Sequence, residues 1–237
     1  SSDLECIAEV VSVGENVCDF KTGDRVAVPA ITPDWREKSI QEGNDRHASA
    51  PFSGHQLGRT QPGVFSERFL IKDADTTLAH IPQKISEEQA LMSVDVVTTG
   101  FTGAEYADIK IGDTVCVIGI GPIGLMAVAG AKLRGAARII AVGTRPKCVQ
   151  LAKYYGATDV LSYKEGDIVQ QVKELTNGIG VDATIIAGGT AEVLTQAYDM
   201  TRYGIGTISN INYFGGTGYL PLPIFSGGRG MCGKTLH

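Results

Sequence analysis

The sequence predicts an α/β fold in which a doubly wound parallel sheet follows a smaller β-rich segment. After Asp108, short apolar stretches typical of strands alternate with stretches of helical length. Strands that alternate with helices in this way pair in parallel through crossover connections. Before Asp108, short Val- and Ile-rich runs are separated by glycine-containing turns. With 237 residues the chain has room for two domains, which we expect to be residues 1–107 and 108–237.

The first of these domains is predicted to contain short strands and two helical pieces. Strands are expected over residues 7–11, 25–30 and 64–71, with a long polar segment over residues 32–63. Ser86 begins a helix, because its hydroxyl can cap the first turn and Glu87 and Glu88 suit the helix dipole. A second helical piece over residues 101–107 is expected after an interruption at residues 98–100.

The second domain is predicted to repeat strand and helix in regular order. Strands are expected over residues 114–119, 138–142, 159–161, 183–187 and 206–210, with a sixth beginning at Lys234. Helices are expected over residues 123–133, 146–155, 168–175 and 191–200. Residues 114–131 carry no charge, but their four glycines and Pro122 favour a strand, a turn and a helix over a membrane span.

Composition excludes several classes of function. The formal net charge is −5 and no basic run occurs, which argues against a nucleic-acid partner. The five cysteines are an odd number without a Cys-x-x-Cys pair, so we expect a reducing, cytoplasmic compartment rather than a disulfide framework. The start lacks both a signal peptide and an initiator Met, and the chain is expected to be processed or partial.

A glycine motif follows the first strand of the second domain. Gly119, Gly121 and Gly124 match the G-x-G-x-x-G fingerprint of dinucleotide sites, and we expect the intervening Pro122 and Ile123 to bind the cofactor with them. The first glycine makes the turn, the second lets a diphosphate approach the backbone, and the third allows close packing of helix on strand. The competing interpretation is a glycine-rich turn without a ligand.

The end of the next strand indicates which dinucleotide binds. An acidic residue there would accept hydrogen bonds from the ribose of NAD(H). Gly143 occupies that position instead, and Thr144 and Arg145 after it can bind a 2′-phosphate. The sequence therefore favours NADP(H) over NAD(H).

Several stretches resemble one enzyme family, the NADP-dependent secondary alcohol dehydrogenases of the zinc-containing medium-chain family, of the tetrameric bacterial and protist type. They are residues 28–35 (VPAITPDW), 63–67 (GVFSE), 96–101 (VVTTGF), 119–136, 154–159 (YYGATD) and 210–215 (NINYFG). The resemblance implies a Rossmann domain after a partial GroES-like catalytic domain, with the substrate, a small alcohol or ketone, in the cleft between them. It also implies a homotetramer, and a chain truncated at both ends.

The resemblance implies catalytic zinc, which polarises the carbonyl while the nicotinamide delivers hydride. Asp95 matches a family zinc ligand, and Glu5 matches the Glu that follows the ligand His. Leu4 occupies the histidine position, and the cysteine position would precede Ser1. Two carboxylates alone make a poor zinc site, because zinc prefers nitrogen and sulfur donors. Glu5 as a solvated charge and Asp95 as a helix cap are the competing interpretations.

The resemblance also implies further residues that contact the cofactor. Thr99, Ile211, Asn212 and Tyr213 match nicotinamide-contacting positions, and Tyr163 matches an aromatic near the adenosine phosphate. Ala187, Gly188 and Gly189, at the end of the fourth strand, leave room for the ribose. His55 lies where relatives of this family carry a tryptophan in the substrate pocket. His47 and His55 could be proposed as replacement zinc ligands, but they do not have the spacing of a metal site. Tyr163 and Tyr213 could instead pack under loops.

The primary hypothesis is therefore an oxidoreductase that transfers hydride between NADP(H) and a secondary alcohol or ketone. A degenerate module that binds NADP(H) without zinc chemistry is the first alternative, motivated by Leu4. A zinc-free protein of the quinone-reductase kind is the second alternative, in which bound geometry alone promotes hydride transfer.

Overall fold

The computed structural model describes residues 5–29, 31–32, 34–43, 56–58, 61–214 and 234–237. Two compact units divide the chain, Ser1–Asp95 and Val96–His237. The second unit thus begins before the boundary that the sequence predicts near Asp108.

The first unit contains a small antiparallel sheet. Its strands are β1 (Cys6–Glu9), β2 (Arg25–Val28) and β3 (Ala79–His80), in the order β1-β2-β3. Its helices are α1 (Lys38–Gln41), α2 (Ala74–Thr77) and α3 (Glu87–Val94). Ser86 and Gln89 form a capping box at the start of α3, which confirms the predicted helix start. The buried core of this unit includes Phe20, Val26, Val28, Leu57 and Val64.

The strand predicted over residues 64–71 is wrong, since this segment is irregular. None of these residues pairs with the three strands of the small sheet. Its apolar residues also fail to share one buried face: Val64 is buried, whereas Phe65 and Leu70 are 77% and 74% exposed. Ser66 instead makes a local hydrogen bond to the carbonyl of Arg68.

The second unit is a parallel sheet covered by helices on both faces. Its strands are β4 (Thr114–Ile118), β5 (Arg138–Val142), β6 (Asp159–Leu161), β7 (Ala183–Ile186), β8 (Thr207–Asn210) and β9 (Thr235–Leu236). Its helices are α4 (Val96–Tyr106), α5 (Pro122–Leu133), α6 (Pro146–Tyr155), α7 (Ile168–Leu175) and α8 (Glu192–Met200). These elements confirm the predicted doubly wound fold, including the last strand.

The strand order β6-β5-β4-β7-β8-β9 places β4 at the centre of the sheet. Helices α4, α5 and α6 contribute to the buried cluster on one face, and α7 and α8 to the cluster on the other. The chain proceeds from β4 toward β5 and later returns to β7 on the opposite side, which opens a crevice beyond the end of β4. The sheet therefore positions a ligand site at that point. Within the described residues, every helix is too short or too polar to cross a bilayer.

The interruption predicted at residues 98–100 is also wrong, because α4 continues through it. A Cβ on Gly100 would lie 2.5 Å from Cβ of Met126 and 2.7 Å from the carbonyl oxygen of Ile123. Gly130, on α5, is also close to α4, since a Cβ on Gly130 would lie 2.9 Å from Cβ of Ala104. These glycines let α4 and α5 approach closely, and this packing explains why the second unit starts at Val96.

Candidate functional site

The turn after β4 is held by contacts that only glycine permits. Gly119 has φ +88°, and a Cβ there would lie 2.8 Å from the backbone of Gly188, after β7. A Cβ on Gly124 would lie 1.8 Å from the carbonyl oxygen of Gly119. The first and third glycines of the motif are therefore required by packing of the turn against the next helix and the neighbouring strand end.

Gly121 differs, because its surroundings are open. It is the N-cap of α5 with φ −72°, and Pro122 follows at the first helical position. Among the described residues, a Cβ on Gly121 would come within 4 Å only of the guanidinium of Arg145, at 3.5 Å. The amides of Ile123 and Gly124 belong to the first turn, where helices leave N–H groups without intrahelical acceptors. The bare backbone at Gly121 and these amides form a cradle suited to an anion.

A cleft of about 620 Å³ lies over this turn. It contains nine of the predicted cofactor positions, and they come from three strand ends and the loop after β6: Gly119, Gly121, Gly143, Thr144, Arg145, Tyr163, Ala187, Gly188 and Gly189. The ends of β4, β5 and β7 are adjacent in the sheet, which is why residues far apart in sequence meet here.

One corner of the cleft is cationic and rich in hydroxyl groups. The hydroxyl of Thr144 lies 3.0 Å from that of Tyr163, whose side chain is 59% exposed. Arg145 is the N-cap of α6 and is exposed. It forms no ion pair with any residue in the described part of the chain. A cation at a helix N-terminus is unfavourable alone, so this corner suits a bound phosphate.

At their other ends, away from this corner, strands β5 and β6 are joined by an ion pair. Arg138 binds both oxygens of Asp159, at 2.8 and 2.9 Å, and donates to the carbonyl of Leu175 at 2.6 Å. The hydrogen bond from Arg138 holds the pKa of Asp159 below its ordinary value. The pair thereby fixes the start of β5 to the start of β6, the two strands whose other ends carry Thr144 and Tyr163.

The segment after β8 lies near the cleft without lining it. The amide of Ile211 donates to the carbonyl of Ile186 at 3.0 Å, and Ile211 packs against the core. The side-chain amide of Asn212 donates to the carbonyl of Gly189, a cleft residue, at 3.1 Å. Tyr213 is 80% exposed, and Thr99 lies half-buried on α4.

The predicted metal ligands do not form a zinc site in the described part of the chain. Asp95 is the C-cap of α3 and is half-buried, and Glu5, also half-buried, precedes β1. Among the described residues, no three His, Cys, Asp or Glu side chains are grouped so that they could hold a metal ion. Leu4, His47 and His55 lie outside the described residues.

Sequence reasoning missed part of the cleft lining. The missed residues are Ile118, Ile120, Val142, Ile168, Thr190, Glu192, Val193 and Gln196. The loop between β7 and α8 offered a signal, since Thr190 directly follows Gly188 and Gly189 at a strand end that faces the switch point of the sheet. The buried faces of Ile120 and Ile168 carried no such signal, because an apolar residue in a helix or turn usually packs in the core.

Known proteins resemble the whole chain. A family model for zinc-binding dehydrogenases matches residues 122–229, and one for the alcohol dehydrogenase GroES-like domain matches residues 3–83. NADP-dependent isopropanol dehydrogenases from Thermoanaerobacter brockii and Clostridium beijerinckii are 56% and 53% identical over 98% of this chain. The chain spans 66% of the length of each. The solved alcohol dehydrogenase of Thermus sp. ATN1 superposes with a TM-score of 0.83 at 26% identity, over 98% of this chain and 66% of that one.

Proposed function

This chain belongs to the zinc-binding alcohol dehydrogenases of the medium-chain family, and on that premise we propose that it binds NADP(H) and serves hydride transfer between NADP(H) and secondary alcohols or ketones. One observation carries the cofactor part of the proposal: the bare glycine turn and the Thr144–Arg145–Tyr163 corner line one cleft. The glycine turn suits a diphosphate, and the corner suits an additional phosphate group.

Different residues of the cleft bind different groups of the cofactor. The first amides of α5, at Ile123 and Gly124, hold the diphosphate, and Gly121 lets it approach the backbone. Arg145 and the hydroxyls of Thr144 and Tyr163 hold the 2′-phosphate of the adenosine ribose. The arrangement favours NADP(H), because the neutral Gly143 supplies no acceptor for an unphosphorylated ribose.

The other end of the cofactor is assigned to the segment after β8. When bound, NADP(H) supplies the hydride acceptor or donor. Ile211, Asn212, Tyr213 and Thr99 are proposed to orient the nicotinamide, with Ala187 and Gly188 beneath the ribose. The hydrogen bond from Asn212 to Gly189 supports this role, because it joins the segment to the cleft wall.

We propose Asp95 and Glu5 as the catalytic positions of this chain and as the two carboxylates that match the metal site of the family. Zinc binding belongs to the family, but two carboxylates without imidazole or thiolate do not satisfy zinc. The described residues therefore do not fit the metal, and no step of the proposed reaction is assigned to it.

The substrate is proposed to be a small secondary alcohol or ketone, since curated relatives are isopropanol dehydrogenases. We also propose a cytoplasmic homotetramer, as the resemblance implies. Light scattering coupled to size-exclusion chromatography measures the oligomeric state.

Cofactor binding and turnover separate the possible functions. Titration of the chain with NADPH and NADH, followed by nicotinamide fluorescence, should show tighter binding of NADPH. Oxidation of NADPH in the presence of acetone, with metal analysis, tests hydride transfer. Binding without turnover would favour the NADP(H)-binding module, and quinone reduction in the presence of a chelator would favour the quinone-reductase alternative.

A further inference from the structure

Gly143, at the end of β5, is a glycine that its own backbone does not require. Its φ lies outside the positive range in which many other glycines of the chain are found, so its φ alone does not call for glycine. A Cβ on Gly143 would nevertheless lie 2.2 Å from Cγ1 and 2.8 Å from Cδ1 of Ile120. The side chain of Ile120 therefore occupies the space that a side chain at position 143 would need.

Neither partner in this contact can move easily. The amide of Gly143 donates to the carbonyl of Leu161 on β6, at 3.0 Å. On the other side, the amide of Gly119 donates to the carbonyl of Val142 at 3.1 Å, which ties the turn to β5. Ile120 is 3% exposed and belongs to the core cluster on one face of the sheet. Because the backbone is hydrogen-bonded and the isoleucine is packed, a new Cβ would have to displace core atoms.

This contact bears on which dinucleotide the cleft accepts. An acidic side chain at the end of this strand is the acceptor that NAD(H) sites use for the ribose hydroxyls. We propose that Ile120 is a specificity-determining residue: by filling the Cβ space of Gly143, it excludes that acid and so maintains the preference for NADP(H). The inference rests on the proposed function, and it assigns part of the preference to the interior of the turn rather than to Arg145 alone.

The steric part is tested without cofactor, by a melting-temperature cycle on the 237-residue chain. The four proteins are wild type, Ile120→Ala, Gly143→Ala and the double variant. Gly143→Ala should lower Tm by about 4 °C or more in the wild-type background, and by less than about 2 °C in the Ile120→Ala background. Val128→Ala, a truncation elsewhere in the same core cluster, provides the matched background in which Gly143→Ala keeps its full effect.

The specificity part is tested by dissociation constants for NADPH and NADH. Gly143→Asp alone should weaken NADPH binding and strengthen NADH binding by less than about 3-fold. Ile120→Ala with Gly143→Asp should bind NADH at least about 10-fold more tightly than Gly143→Asp, since the new carboxylate can then reach the ribose. Circular dichroism of each variant establishes that the fold is retained.

Two results would overturn the proposal. One is an equal cost of Gly143→Ala in the wild-type and Ile120→Ala backgrounds, and the other is equal NADH affinity of Gly143→Asp with and without Ile120→Ala. Failure of the proposed function would give a different result, because wild type would then bind neither NADPH nor NADH. The specificity role of Ile120 would be removed in that case. The melting-temperature cycle would still decide whether Ile120 excludes a side chain at position 143.

Discussion

The hydroxyl of Thr144, at the end of β5, donates a hydrogen bond to the hydroxyl of Tyr163, beyond the end of β6, across 3.0 Å. The two residues come from neighbouring strands of the parallel sheet, so their contact closes one corner of the cleft. Each hydroxyl retains hydrogen-bonding capacity beyond this one bond, which a phosphate oxygen can use.

Thr144→Val and Tyr163→Phe remove one hydroxyl each while nearly preserving shape. Each is expected to weaken NADPH binding by about 3- to 10-fold, because one hydrogen bond to the phosphate is lost. The double variant should lose less than the product of the two effects, since the hydroxyls are bonded to each other. Isothermal titration calorimetry measures the dissociation constant of NADPH for each variant. Tyr154→Phe, an exposed tyrosine outside the cleft lining, is the control, and an equal effect there would contradict the assignment.

Arg145→Ala should weaken NADPH binding by about 10- to 100-fold and change NADH binding by less than about 3-fold. The reason is that a charge-assisted bond to the 2′-phosphate is lost, and NADH carries no such group. Fluorescence titrations at several salt concentrations measure both constants. Lys147→Ala, two positions along on α6 and outside the cleft lining, is the matched control. A parallel loss of NADH affinity would show that Arg145 acts on the diphosphate or on the fold.

Two glycines of the motif should respond in opposite ways. Gly124→Ala is expected to cost at least about 3 kcal/mol of stability, because its Cβ would lie 1.8 Å from a backbone oxygen. Gly121→Ala should leave stability within about 1 kcal/mol, since only the end of the Arg145 side chain is near. It should still weaken NADPH binding by about 10-fold or more, because the methyl group occupies the approach to the backbone. Urea denaturation and NADPH titration of the two variants test this pair, and unchanged NADPH affinity in Gly121→Ala would refute the cradle.

Asp159→Asn should lower the free energy of unfolding by about 1–2 kcal/mol at neutral pH. The estimate is modest because Arg138 and Asp159 are 35% and 24% exposed. The pKa of Asp159 is lowered in the folded protein, chiefly by the hydrogen bond from Arg138. Its contribution is therefore fully present above the ordinary carboxyl value of 3.8 and declines as the pH falls below it toward the lowered folded-state pKa.

Denaturant titrations of wild type and Asp159→Asn at pH values from neutral to about 3 measure this dependence. The difference between the two proteins should shrink at the acid end. A difference that stays constant across the range would show that Asp159 acts through its shape and through the hydrogen bond that it accepts from Thr158, rather than through its charge.

Strong local signals made most of the second unit predictable. Apolar strands bounded by glycine turns identified β4 to β9, and Ser86 with its acidic first turn identified the start of α3. The positions of Gly119 and Arg145 in the cleft also followed, because residues at the carboxyl ends of parallel strands meet at one edge of a sheet.

Other features depended on partners distant in sequence. Residues 64–71 alternate like a strand, yet they pair with none of the three strands of the small sheet and do not share one buried face. Gly100 looks like a helix break until α5 is packed against it. Glu192 and Gln196 line the cleft, and the local pattern that predicts α8 does not say which of its residues face a ligand.

The amino-acid order alone determined the doubly wound sheet, the glycine turn and the cationic strand end, since backbone propensity, turn chemistry and charge act over a few neighbouring residues. Only the tertiary structure decided why position 143 is glycine. The reason is a contact with Ile120, a residue that precedes it by one strand and one helix, and close packing between such residues is a property of the folded core.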